Sequence, residues 1–264
     1  MATTAMLIAP IAALRAVRRS GGSVGCRSGQ RRSARKMAKA AAAMTAPPAK
    51  ACTAAREAVR CAGGSAKAGG VSNVRIILFT RYPEPGRAKT RLIPALGAHG
   101  AADLHRRLTE RTLEQVCATG MDFEIRSTGR AAGEFVTWLG SAKVVDQGDG
   151  DLGARLERAA APYPVIFIGA DAPDLTARHL CDAADALAGH EAVIGPAYDG
   201  GYWLLGLARP IPGLFDEMAW GTDQVLPATL ARLQAARAAP FMLPTLADLD
   251  RPEDLSRWPE FGAG

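Results

Sequence analysis

Val165-Ile166-Phe167-Ile168-Gly169-Ala170-Asp171-Ala172-Pro173-Asp174 is the stretch that decides the fold. VIFI is the most apolar run of the chain and reads as a central strand buried on both faces, as strands of a helix-covered parallel sheet are. In such sheets ligands bind beyond the carboxyl ends of the strands, which is where Asp171 falls. A carboxylate there is costly unless something neutralises it. A hard divalent cation bridging to a diphosphate suits it, because Mg²⁺ takes one or two carboxylates plus substrate phosphates. The competing role, N-cap of the next helix, fits Asp174 or Thr176 better.

Working outward, short apolar runs alternate with helical periodicity. Val74–Thr80 reads as a strand, followed by helices over about 99–118, 131–139 and 152–161 and strands at 123–127 and 143–146. Beyond VIFI come a helix over about 176–188, strands at 192–194 and 202–207, and a helix over 223–236 with Thr222 as its N-cap. This alternation predicts one α/β domain with a mostly parallel central sheet and helices on both faces. It spans residues 73–264, enough for a sizeable core.

Three loops after strands carry chemistry. The first, Arg81-Tyr-Pro-Glu-Pro-Gly86-Arg-Ala-Lys89-Thr-Arg91, holds four cations stiffened by two prolines. Lys offers a point charge and Arg a bidentate fork for phosphate oxygens, and Gly86 would allow close backbone approach. The GxxxxGK[ST] spacing of a P-loop is missing. The second loop carries Asp171. The third, Gly195-Pro-Ala-Tyr198-Asp199-Gly200-Gly201-Tyr202-Trp203, is open to two readings: a hairpin turn, or a carboxylate among glycines and aromatics that receives a sugar or acceptor hydroxyl. Trp220-Gly-Thr222-Asp223 adds polar groups. Asp248 and Asp250, two apart, would share one side of an extended segment, so that one of them could reach the metal.

Charge is unevenly spread. Residues 1–56 carry 11 Lys/Arg and no acid, while the remaining 21 Lys/Arg face all 26 Asp/Glu, a formal −5. The overall +6 therefore belongs to the leader and is no nucleic-acid footprint. Residues 1–72, rich in Ala, Arg, Gly and Ser, are expected to be disordered. Their composition suits an organellar transit peptide, plastid rather than mitochondrial, or else a start codon placed too far upstream, in which case the protein is cytoplasmic. No stretch is apolar over the ~18–20 residues a membrane span needs. The cysteines form no CxxC pair, which supports neither a zinc site nor a disulfide framework. The four histidines share no metal spacing and are expected at surfaces or helix ends.

The ordered strings FTRYPEPGRAKTRL, DLGARL, IGADAPDL, GPAYDGGYWLLGL, WGTDQVL and DLDRPEDL, running from Arg75 to about Trp258, resemble one bacterial family. It is that of the radical-SAM/selenodomain-associated transferases, taken to be glycosyltransferases. The resemblance implies a GT-A-like, Rossmann-like nucleotide-diphospho-sugar transferase fold, shared with molybdenum-cofactor and phospholactate guanylyltransferases. It implies that Lys89 and Arg91, with Arg81 and Gly86 in the same loop, bind a di- or triphosphate, and that Asp171 holds Mg²⁺ or Mn²⁺, with Asp250 as second ligand. It places Asp151 and Arg155 near the nucleotide, and Asp199, Gly200 and Gly201 near the transferred group, which Tyr202, Trp220 and Thr222 would help bind. Arg251 departs from the Thr that the guanylyltransferases carry before Pro-Glu-Asp-Leu, which weakens the case for Asp250.

Two reactions fit. In glycosyl transfer from a nucleotide-sugar to an acceptor of unknown identity, Asp199 or Asp223 is the candidate base. In nucleotidyl transfer, a phosphate attacks a nucleoside triphosphate and pyrophosphate leaves, with no base required. A third reading, a catalytically idle binding domain, leaves the charged loops unexplained.

Overall fold

The computed structural model describes residues 73–140 and 142–262, so the expected leader lies outside the described residues. Seven strands form one sheet: β1 (Arg75–Arg81), β2 (Asp122–Thr128), β3 (Lys143–Asp146), β4 (Val165–Ile168), β5 (Ala192–Pro196), β6 (Tyr202–Leu207) and β7 (Pro240–Met242), in the order β3-β2-β1-β4-β6-β5-β7. β1 runs parallel to β2 and β4, β2 to β3, and β5 to β7, while β6 is antiparallel to β4 and β5. The sheet is mostly parallel, as the alternation predicts. The three-residue β7 escapes the sequence reading because Pro240-Phe241-Met242 is too short to show a period.

The helices are α1 (Ile93–Thr119), α2 (Ala132–Leu139), α3 (Leu152–Ala160), α4 (Ala177–Ala186), α5 (Val225–Ala235) and a terminal turn α6 (Pro259–Gly262). Alternate residues of β1 send Ile76 and Leu78 to one face and Ile77 to the other. Leu113, Val116, Phe135 and Leu180 cover the first face, from α1, α2 and α4. Leu156 and Leu233 cover the second, from α3 and α5. VIFI is buried throughout, because both of its faces meet helices.

Two local expectations change. α5 starts at Val225, and the Thr222 hydroxyl does not cap it but donates to Ala219 O at 2.8 Å, closing the preceding turn. Cys117 is disulfide-bonded, against the expectation of unpaired thiols, while Cys181 is free. Thr176 does cap α4, in a capping box with His179. Among the described residues no helix is long and apolar enough to cross a membrane.

A third cluster positions the site. Leu249, Ala247, Trp258 and Phe261 pack on Leu92, Leu104 and Leu108 of the first loop's end and α1. Leu243 N donates to Ile194 O, Leu246 N to Pro196 O and Leu249 N to Asp171 O, so the C-terminal strap crosses the carboxyl ends of β5 and β4. Burying Leu249 thereby sets where Asp248 and Asp250 stand.

At the opposite edge, Glu124, 1% exposed, meets Arg126 at 2.7 Å, Lys143 at 2.8 Å and Arg75 at 3.1 Å. Burial raises its pKa, but these cations outweigh it and hold the carboxyl below its ordinary range. A group depressed in this way stabilises the fold above its ordinary pKa and loses that contribution as pH falls. Glu124→Ala, leaving the cations without their counter-charge, should cost about 3 kcal/mol in urea unfolding at neutral pH, with the deficit shrinking toward pH 3.

Candidate active site

The carboxyl ends of β1, β2, β3 and β4 and the β5–β6 connection open on one edge of the sheet, where two cavities meet at Asp171 and Leu152. The larger, about 500 Å³, is lined by Arg81, Arg87, Lys89, Arg91 and Arg155, with Asp171 and Asp250 on its border. The smaller, about 310 Å³, is lined by Asp171, Asp199, Asp248, Tyr202, Trp203, Trp220 and Thr222, and by no Lys or Arg.

The loop after β1 folds into consecutive turns, with Arg87 N and Ala88 N donating to Glu84 O. Gly86 takes φ +80, and a Cβ built there meets nothing within 4 Å. Its role is to reach a left-handed conformation, not to admit a phosphate closely, and it does not line either cavity. Lys89 sits at φ 47 without being glycine, a conformation that persists only where its surroundings impose it.

The imposing contacts are visible. Lys89 Nζ, on a side chain 5% exposed, donates to Asp171 Oδ1 and Leu249 O at 2.6 Å each and lies 3.5 Å from Asp250 Oδ1. Arg91 reaches Asp250 Oδ2 at 2.5 Å. Burial lowers the pKa of Lys89, yet Asp171 more than compensates and keeps it above the usual lysine value. Asp171 is crowded by neighbours but turns half its side-chain surface, 51%, to the cleft. Burial pushes its carboxyl up and Lys89 pulls it down further, leaving it ionised.

Asp248 is the counterpart. Burial, then the negative charges of Asp171 and Asp199, push its carboxyl up to about 7, with Lys89 offering only partial relief. Asp248 and Asp250, expected on one side of an extended strap, therefore serve different cavities: Asp250 is tied to cations and Asp248 stands among carboxylates.

The β5–β6 connection is both a hairpin and a cavity wall. Asp199 Oδ1 accepts from Gly201 N at 2.9 Å in a two-residue side-chain turn. Gly200 has φ +87, and a Cβ there would lie 2.5 Å from Asp223 Cα, so this glycine is obligatory. Asp223 packs by its backbone against Gly200 and lines neither cavity. Tyr202 lines the smaller cavity, and burial pushes its hydroxyl up to about 12. Trp203 is a core residue, 5% exposed, tilted against His179 and donating to Pro244 O. Its packing leaves little ring face for a sugar. Trp220 packs beside Phe215, with its indole N–H buried and unpartnered.

Other expected residues take structural posts. Asp151 caps α3, accepting from Ala154 N at 2.9 Å, and lines neither cavity. Arg155 donates to Gly150 O and to Gln147 Oε1. His105, expected at a surface, is buried, with Nε2 3.0 Å from Arg81 O and 3.4 Å from Thr80 Oγ1. Burial lowers its pKa, so it is neutral and braces the first loop. Gln147 belongs to none of the sequence motifs. Its amide NH₂ donates to Thr80 O and Arg126 O, which fixes Oε1 toward Arg155 in the larger cavity. Its position one residue past β3, in the Gln147-Gly-Asp-Gly turn, was the available signal.

The sheet thus carries a cation-lined and a carboxylate-lined cavity side by side at its carboxyl edge. Residues 112–222 match DUF2064, described as an uncharacterized protein conserved in bacteria. A solved structure of a candidate nucleotide-diphospho-sugar transferase from Desulfovibrio desulfuricans G20 is 33% identical, over 67% of this chain and 82% of its own, with a TM-score of 0.64. Rv0371c from Mycobacterium tuberculosis H37Rv is similar at 17% identity over 72% of this chain and all of its own, TM-score 0.45. A manganese complex of the same protein gives 19%, 71% and 97%, TM-score 0.44. No curated protein matches. The chain belongs to the same family as this candidate transferase, within the nucleotide-diphospho-sugar transferase superfamily.

A carboxyl raised toward 7 favours the protonated fold, so the wild type loses stability as pH rises from about 4 to about 7, after which the loss is constant. Asp248→Asn should therefore unfold at a higher temperature than wild type near pH 8, by about 1–3 kcal/mol, and the gap should close toward pH 4. Parallel melting curves across this range check it; a gap that does not vary with pH would count against the carboxylate cluster.

Proposed function

We propose that this chain is a metal-dependent glycosyltransferase that moves a sugar from a nucleotide-diphospho-sugar to an acceptor hydroxyl. The carrying observation is the division of the cleft. One cavity collects cations and the other is lined by three carboxylates, with Tyr202 and Trp220, and without a single Lys or Arg. Nucleotidyl transfer needs a second phosphate, from the attacking substrate, held where this cavity offers only negative charge; a sugar's hydroxyls suit carboxylate acceptors and aromatic walls better.

Among the described residues, no group of three or more His, Cys, Asp or Glu side chains forms a ready metal centre. Mg²⁺ or Mn²⁺ does not require one, since two protein carboxylates suffice when substrate phosphates complete the shell. Asp171 and Asp248 fit that role: hard oxygen donors on one cavity, with a carboxyl on Asp248 pushed up for want of positive charge. Asp250, shared by Arg91 and Lys89, is the weaker candidate. A bound divalent ion would neutralise the diphosphate leaving group.

The chain's own groups do the rest. Arg81, Arg87 and Arg91 face the larger cavity as phosphate forks. Gln147 Oε1 and Arg155 present an acceptor and a donor together at its inner wall, suited to a nucleobase edge. In the smaller cavity Asp199 is the candidate base, since it lines the space that Asp223 does not. Tyr202, Trp220 and Thr222 line the same space, where the sugar would sit.

The full chain incubated with nucleotide-sugars and Mn²⁺ should release nucleoside diphosphate; pyrophosphate from nucleoside triphosphates instead would establish nucleotidyl transfer. Asp199→Asn should lower kcat by about 10²–10⁴-fold with nucleotide affinity nearly unchanged. Asp171→Asn should abolish the metal dependence of nucleotide binding in calorimetry, and retained dependence would defeat the assignment.

A further inference from the structure

Lys89 stands where a cation is wanted. Its ammonium has three protons, and three acceptors surround it: Asp171 Oδ1, Leu249 O and, more distantly, Asp250 Oδ1. With the side chain 5% exposed, no direction is left for a phosphate oxygen in this arrangement. Lys89 here is an internal counter-ion and a strut joining the first loop to the C-terminal strap, not yet a phosphate ligand. Its left-handed backbone shows that the loop is bent to bring it there.

A divalent ion on Asp171 would share the same carboxylate with this ammonium, and two cations a few ångströms apart in a partly buried site repel strongly. Metal alone must therefore displace Lys89 without offering it a new partner. A diphosphate in the adjoining basic cavity changes the balance, because it gives the ammonium an acceptor and the metal further oxygen ligands at once. We propose that Lys89 makes metal and nucleotide binding interdependent: its ammonium on Oδ1 competes with divalent ions for Asp171 until a nucleotide diphosphate draws it away. The inference rests on the metal-dependent reading above and adds an order to it. By linkage, the nucleotide must gain from metal the same factor that metal gains from nucleotide.

Calorimetry of the full chain with Mn²⁺ alone, and with Mn²⁺ in the presence of UDP or GDP, tests this. Wild type should bind Mn²⁺ at least ~10-fold more tightly with the nucleotide than without it, within the usual range of coupling factors. Lys89→Met should bind Mn²⁺ alone roughly 10-fold more tightly than wild type and lose most of the coupling. Equal affinity of the two proteins for Mn²⁺ alone would overturn the proposal while leaving metal-dependent transfer intact. No Mn²⁺ binding in any arm would overturn both. Should Lys89→Met not fold, ¹⁵N NMR of the wild-type lysine ammonium groups decides. At one Mg²⁺ concentration, set below that which binds without nucleotide, the Lys89 signal should persist with Mg²⁺ alone and vanish or shift once UDP or GDP is added, whereas a signal unchanged by Mg²⁺ plus UDP or GDP would refute the proposal.

Discussion

The ammonium of Lys89, shared between Asp171, the carbonyl of Leu249 and Asp250, is the contact on which the cleft depends. It ties together three segments remote in sequence: the loop after β1, the end of β4 and the C-terminal strap. A buried lysine and a strand-end aspartate are each unfavourable alone, and together they are tolerated because each is the other's counter-charge. The loop's left-handed turn at Lys89 and the burial of Leu249 both serve to keep that pair in register.

Around the pair, charge is sorted. Cations from the first loop and from α3 gather on one side, and Asp199 and Asp248 on the other. This separation gives the cleft a polarity, positive on one side and negative on the other. It also explains why Asp248 rather than Asp250 carries the unneutralised charge: Leu249 turns inward to the α1 cluster, and its neighbours are handed to different cavities.

Much of the fold was legible because its cause is local. VIFI, the β1 run and the helical repeats each state their burial in their own periodicity, and the strand-end loops follow from the parallel topology. Where the reading changed, a tertiary contact had overridden it. His105 looks like a polar helix residue, yet its ring is enclosed to brace Arg81 O. Trp203 looks available for stacking, yet it packs over Gly195, where a Cβ would lie 2.3 Å from the ring. The Asp199-Gly200-Gly201 turn carries two readings in sequence, a hairpin turn and a carboxylate that receives a hydroxyl; the structure makes it a hairpin connection whose Asp199 lines the smaller cavity. Gln147 was invisible because a lone glutamine in a glycine-rich turn gains meaning only once two carbonyls orient its amide.

The sequence by itself determined the α/β class, the loops at which chemistry gathers, and the need of Asp171 for a positive partner, because each follows from local pattern and the cost of burying charge. Only the tertiary structure decided that this partner is Lys89, and which carboxylates share the cavity. Those relations join residues some eighty to one hundred and sixty positions apart, as the Lys89 contacts to Asp171 and Asp250 show. No periodicity records such distances; packing of the strap against α1 creates them.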